Sequence, residues 1–153
     1  MRRHGRPLLW AIACGLILAV PAAATSYRLL VERDGLRVYG PASPYAGGTC
    51  PRGALAVSRA DVRTARGAVL LAVPKLYSGR GRGYRVVRST GAGLAPVYPR
   101  TRGAKECGKR IFRRTIVVDV VFPQIARWSA SLSQATFLVS RLREGWVIWY
   151  QAH

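Results

Sequence analysis

The sequence predicts an α+β domain: one main helix packed on a curved antiparallel sheet of about four strands, preceded by an N-terminal signal or anchor helix. Three observations carry this. Val62, Ala65, Val69, Ala72, Val73 and Leu76 recur at helical spacing. Thr115–Phe122 (TIVVDVVF) is rich in β-branched residues, which favour strands. Arg143-Glu144-Gly145 turns one long strand-like run into another, Trp146–Gln151 (WVIWYQ), so the chain closes on a hairpin.

The first element is the N-terminal segment, 1–24. Three arginines stand in Met1–Arg6, no charge in Pro7–Val20, and small residues with a helix-breaking proline in Pro21–Ala24. This is the layout of a secretory signal, with Ala22 and Ala24 at the small-x-small positions and cleavage expected after Ala24. The apolar run is shorter than the roughly 20 residues of a spanning helix. An uncleaved anchor, its arginines held inside, is the alternative. Cys14 would mark a lipoprotein, but Gly15–Val20 continues the apolar run past it, and it fits better as a small apolar residue. The expected location is secreted or extracytoplasmic, with membrane anchoring if the segment is retained.

Residues 25–57 read as a hairpin and a loop. Asp34-Gly35 is a hairpin-turn signal within Tyr27–Tyr39, and Gly40–Gly53 is rich in Pro and Gly. Residues 58–153 read as a single α+β domain. Its helix is expected over Arg59–Tyr77, started by a capping box at Ser58-Arg59-Ala60-Asp61 and kinked or closed near Val73 by Pro74. Strands are expected at Tyr84–Arg88, Thr115–Phe122, Ala130–Arg141 and Trp146–Gln151. Leu94–Tyr98, interrupted by Pro96, reads as an edge strand or loop. In the last strand Trp146, Ile148 and Tyr150 share one face; Val147, Trp149 and Gln151 share the other. Core packing accounts for one face, and the second is either packed or an exposed aromatic stripe.

This order, one helix followed by antiparallel strands, resembles the cystatin-like and ketosteroid-isomerase-like α+β superfamily over Ser58–Gln151. The resemblance implies a cone-shaped helix-on-sheet scaffold. The Gln-x-Val-x-Gly motif of cystatins is absent, with Gln124-Ile125-Ala126 its nearest start, and no isomerase residue carries over by position.

The charge is strongly one-sided: 25 Lys+Arg against 6 Asp+Glu, for a formal net charge of +19. Arginine dominates, with Lys75, Lys105 and Lys109 the only lysines. A GC-rich genome would produce the same bias. Whatever its origin, such charge attracts polyanions and raises encounter rates with them. The densest run is Arg100–Arg114 (RTRGAKECGKRIFRR), read as a basic loop carrying Arg100, Arg102, Lys105, Lys109, Arg110, Arg113 and Arg114. Arg80, Arg82, Arg85 and Arg88 form a second cluster around Gly79–Gly83. The guanidinium fork suits phosphate and carboxylate because it donates two parallel hydrogen bonds. The expected partners are an anionic envelope polymer, an anionic lipid or an acidic protein; the alternative is a solvated surface without a dedicated ligand. Export argues against nucleic acid, and aromatics near the basic runs (Tyr84, Tyr98, Phe112) are too sparse for a stacking platform.

Cys50 and Cys107 are expected to pair if the chain is exported, which the chain-entropy model values at roughly 4 kcal/mol. The alternative is two free thiols. Neither a cofactor nor a metal is expected: after Ala24 the only histidine is His153, and no ligand spacing appears. A nucleophile-base constellation lacks its internal base for the same reason. The candidate for catalysis is Asp119, which interrupts TIVVDVVF and would act as a proton-transfer base in a pocket lined by Tyr84, Trp128 or Trp146. The competing reading is an ion pair with an arginine on the next strand. The sequence therefore favours a non-enzymatic, basic, exported domain, with a pocket-type enzyme or small-ligand binder centred on Asp119 as the alternative.

Overall fold

The computed structural model of the chain describes residues 27–42, 49–77, 83–95, 97–124 and 133–153, with the side chains of 97–101 left out. The N-terminal segment, expected as a signal or anchor helix, lies outside the described residues. So do Arg80 and Arg82, Trp128, the side chain of Arg100, and the first residues of the strand expected from Ala130.

The architecture is α+β, but the sheet is larger than expected and it is mixed. It has six strands: β1 (Tyr27–Arg33), β2 (Leu36–Pro41), β3 (Arg85–Gly91), β4 (Thr115–Val121), β5 (Gln134–Arg141) and β6 (Trp146–Ala152), in the order β1-β2-β6-β5-β4-β3. The expected four antiparallel strands correspond to β3 to β6. The N-terminal hairpin extends them, because β2 pairs with β6 in parallel through Val38 and Tyr39. Asp34 and Gly35 both have positive φ (50° and 76°), the conformation that a two-residue hairpin turn of matching twist requires. Gly145 permits the parallel pairing: a Cβ there would stand 2.5 Å from the Arg37 carbonyl oxygen.

Helix α1 (Arg59–Leu76) crosses one face and touches all six strands. Its capping box is complete. The Ser58 Oγ accepts from the Asp61 N–H at 3.3 Å, and Asp61 Oδ2 accepts from the Ser58 N–H at 2.8 Å. Arg141 reaches Asp61 Oδ1 at 3.0 Å, fastening the helix start to the end of β5. Ala65, Ala68, Val69, Ala72 and Val73 are buried against Val38, Ile116, Val118, Val120, Phe122, Phe137, Val139, Trp146 and Ile148. Pro74 does not close the helix, which runs on to Leu76 and is capped by the Tyr77 N–H bonding to the Val73 carbonyl at 3.0 Å.

The opposite face of the sheet is also covered. Leu94–Tyr98 is neither strand nor loop: a single 3-10 turn (Ala92–Leu94) leads into a second helix, α2 (Val97–Phe112). The basic run Arg100–Arg114 is therefore mostly helix. Ala92, Ala95 and Phe112 join Val117, Leu138, Val147, Trp149 and Tyr150 in a second buried cluster. Cover on both faces explains why β4 reads as nearly continuous apolar sequence.

Three strands carry a register shift. In β1 and β3 the inserted residues are Leu30 and Val87; in β6 it is Trp149, because Leu138 pairs with Tyr150 while Val139 pairs with Ile148. A bulge places two neighbours on one side of the sheet. Tyr150 therefore joins Val147 and Trp149 in the second cluster instead of sharing a face with Trp146 and Ile148. All residues from Trp146 to Tyr150 are buried, so this strand presents no exposed aromatic stripe.

Candidate anion-binding face

Helix α2 is built differently from α1. Its sheet-facing side is small: buried Gly103, with half-buried Ala104 and Cys107. A Cβ on Gly103 would stand 2.8 Å from Phe112 Cδ2 and 2.9 Å from Leu138 Cδ1, so the glycine sets how closely the helix lies on the sheet. Pro99 falls in the first turn, where no intrahelical N–H is needed. Gly108 (φ 76°, ψ 159°) breaks the helix just after Cys107, and the final turn swings Phe112 into the core.

Several anchors hold this segment. Cys50 and Cys107 lie at disulfide distance, with Cα atoms 5.2 Å apart and a separation of 57 positions in sequence. Arg114 Nη1 donates to the Ala54 carbonyl at 2.6 Å. A buried hydroxyl chain fixes the C-terminal end: Trp149 Nε1 donates to Ser140 Oγ at 3.1 Å, Ser140 and Thr115 hydroxyls meet at 3.1 Å, and Thr115 Oγ1 donates to the Ile111 carbonyl at 2.9 Å.

The outer side of α2 carries the charge. Lys105, Lys109 and Arg110 are exposed, as is Arg113 in the turn after the helix. Arg102 differs from them: it meets Glu106 at 3.0 Å and lies 5.4 Å over the Tyr150 ring. Arg114 is occupied with Ala54. The nominated α2 residues thus divide into anchors, Arg102 and Arg114, and an outward set, Lys105, Lys109, Arg110 and Arg113.

The second nominated cluster is elsewhere. Arg85 pairs in register with Val121, at the far end of β4 from Arg113 and Arg114, about 20 Å along a strand rising roughly 3.3 Å per residue. It lines a shallow cavity of about 210 Å³ with Val121, Phe122, Pro123, Ser133 and Gln134. Arg88 is an internal partner. The bulge at Val87 sets it opposite Asp119, and its Nε and Nη2 reach Asp119 Oδ2 at 2.7 and 2.5 Å. Thr136 Oγ1 donates to the other oxygen at 2.7 Å. Both Asp119 oxygens are therefore engaged. The side chain lies on the face opposite α1 and is not part of the cavity wall.

All six acidic residues fall within the described residues. Five pair with a separate arginine: Glu32 with Arg37, Asp34 with Arg33, Asp61 with Arg141, Glu106 with Arg102 and Asp119 with Arg88. Glu144 sits exposed in the β5–β6 turn. Hydrogen bonds from the Ser58 hydroxyl and N–H, with Arg141 adding to them, hold the Asp61 carboxyl below the ordinary carboxylate range. No group of three or more His, Cys, Asp and Glu side chains comes together among the described residues. No helix among them is long and apolar enough to cross a membrane.

No family model, curated protein or solved structure matches this chain.

The residues that sequence reasoning missed are structural supports of this face. Ala104 and Cys107 stand at helical spacing and are the available signal for α2. Gly103 completes their side only once the helix is recognised.

Proposed function

We propose that this chain is a non-enzymatic exported domain that binds an anionic envelope component through the outward cations of α2. The observation that carries the reading is the contrast within α2. Arg102 and Arg114 are held by Glu106, Tyr150 and Ala54, whereas Lys105, Lys109, Arg110 and Arg113 point outward from an anchored backbone. Cations on a fixed backbone lose less freedom on meeting an anion than cations on a loose loop. The acidic side chains are mostly committed to other arginines, leaving few anions to compete.

Export enters through the layout of residues 1–24 and is supported by the Cys50–Cys107 pair, because disulfides persist in oxidising compartments. The scaffold is proposed to be of cystatin-like type over Ser58–Gln151, on α1 lying across the antiparallel strands β3 to β6, with α2 inserted between β3 and β4.

The test is binding of the full chain to inorganic polyphosphate, a stand-in for phosphate-bearing wall polymer, over a salt titration. Binding that falls steeply as salt is added supports the reading, since screening shortens the reach of exposed charges to about 8 Å at physiological ionic strength. Absent binding, or binding indifferent to salt, overturns it.

A further inference from the structure

We propose that the 3-10 turn and α2 together form a peripheral docking face for an anionic lipid bilayer, with Leu94 entering the interfacial zone and Lys105, Lys109 and Arg110 holding headgroups. This rests on the anion-binding reading above and names its partner.

The 3-10 turn and α2 cover the same sheet face and pack on each other. Their inner side is Ala92, Ala95, Ala104, Cys107 and Phe112, all in the second core cluster. Leu94 is exposed on the turn, and Lys105, Lys109 and Arg110 are exposed on α2. Leu94 is 83 % exposed, more than any other large apolar side chain among the described residues; Val87 and Leu29 follow at 53 % and 48 %. Those two lie in edge strands at or beside bulges. Leu94 instead projects from a turn whose neighbours Ala92 and Ala95 are both buried, so its backbone is held while its side chain is offered to solvent.

A single exposed leucine is ordinary on a protein surface. Its setting is what points to a bilayer. The layer that carries it also carries the exposed cations, and the acid nearest them in sequence, Glu106, is held by Arg102. The face is therefore complementary to negative charge. A soluble polyanion would satisfy the cations but has no apolar zone for Leu94. An anionic bilayer supplies both, headgroup phosphates outside and acyl chains a few ångströms deeper.

The test follows residue 94 itself, so the apolar segment 7–20 cannot imitate the result. The full chain carries Leu94→Cys and Cys14→Ser, with Cys50 and Cys107 paired, and an environment-sensitive fluorophore on the thiol at position 94. It is mixed with phosphatidylglycerol vesicles, with phosphatidylcholine vesicles and with inorganic polyphosphate. Expected are a blue shift and brightening on phosphatidylglycerol, and no change on phosphatidylcholine or on bound polyphosphate. No shift on phosphatidylglycerol, with polyphosphate binding intact, overturns bilayer docking and leaves the anion-binding reading standing. An equal shift on both lipids overturns the role of the cations. Loss of polyphosphate binding together with the shift overturns the underlying reading.

Discussion

The Tyr84 hydroxyl donates a 2.7 Å hydrogen bond to the carbonyl of Leu70, the acceptor that Pro74 leaves without its helical donor. Residue 74 would ordinarily supply an N–H to residue 70, and proline has none. The helix therefore continues past Pro74 with that carbonyl satisfied from the residue just before β3. Tyr84→Phe is expected to destabilise the fold by about 1 kcal/mol, read from the urea midpoint. In a Pro74→Ala background, where the helix supplies its own donor, the same change should cost clearly less. Equal costs in both backgrounds would remove the compensation.

The Asp61 carboxyl is held low by Ser58, with Arg141 adding to the effect. Its folded-state value lies below the ordinary 3.8, so the unfolded chain binds its proton first as acid is added. The resulting stability is complete above that unfolded value and is lost as pH falls through the folded one. Asp61→Asn should flatten the stability profile in this acid window. Ser58→Ala should cost about 1 kcal/mol near neutral pH through loss of the N-cap. A profile identical for wild type and Asp61→Asn would contradict the linkage.

Arg88 and Asp119 pair across β3 and β4, with Thr136 on the second oxygen. Arg88 is half exposed, so solvent screens the pair and its coupling should be modest, about 0.5–1 kcal/mol in a double-mutant cycle with alanine. Asp119→Asn should leave the fold intact and raise amide exchange along β3, the edge strand it secures. Unchanged exchange there would mean the pair does not hold the edge.

The core elements were legible in the sequence because their signals are large side chains at regular spacing. The β-branched run of β4, the capping box of α1 and the Asp34-Gly35 turn each act through local chemistry. Helix α2 was hidden for a physical reason. Its buried side is Gly103, Ala104 and Cys107, chosen for close approach rather than apolar area, and Pro99 and Gly108 resemble breaks. The bulges at Leu30, Val87 and Trp149 were equally hidden, since alternation alone does not reveal which residue lacks a partner. The same blindness affected the site. Arg88 and Arg114 match the composition of an anion-binding cluster, but the fold engages them with Asp119 and Ala54.

The Cys50–Cys107 pair ties the loop before α1 to the middle of α2. Replacing both with serine should lower stability by roughly 4 kcal/mol on the chain-entropy model. Hydrogen exchange should rise most in α2 if the pair anchors the basic face. Exchange that rises uniformly, or not at all in α2, would contradict that role.

The most direct measurement compares where charge is removed while keeping the total equal. One full-length variant carries Lys105, Lys109 and Arg110 changed to glutamine. The other carries Arg59, Arg63 and Arg66, all exposed on α1, changed likewise. At roughly 1 kcal/mol for each Lys or Arg beside an anionic surface, the α2 variant should bind polyphosphate about a hundredfold more weakly. The α1 variant should stay close to wild type. Equal losses in the two variants would contradict a face on α2 and leave only the net charge of the chain.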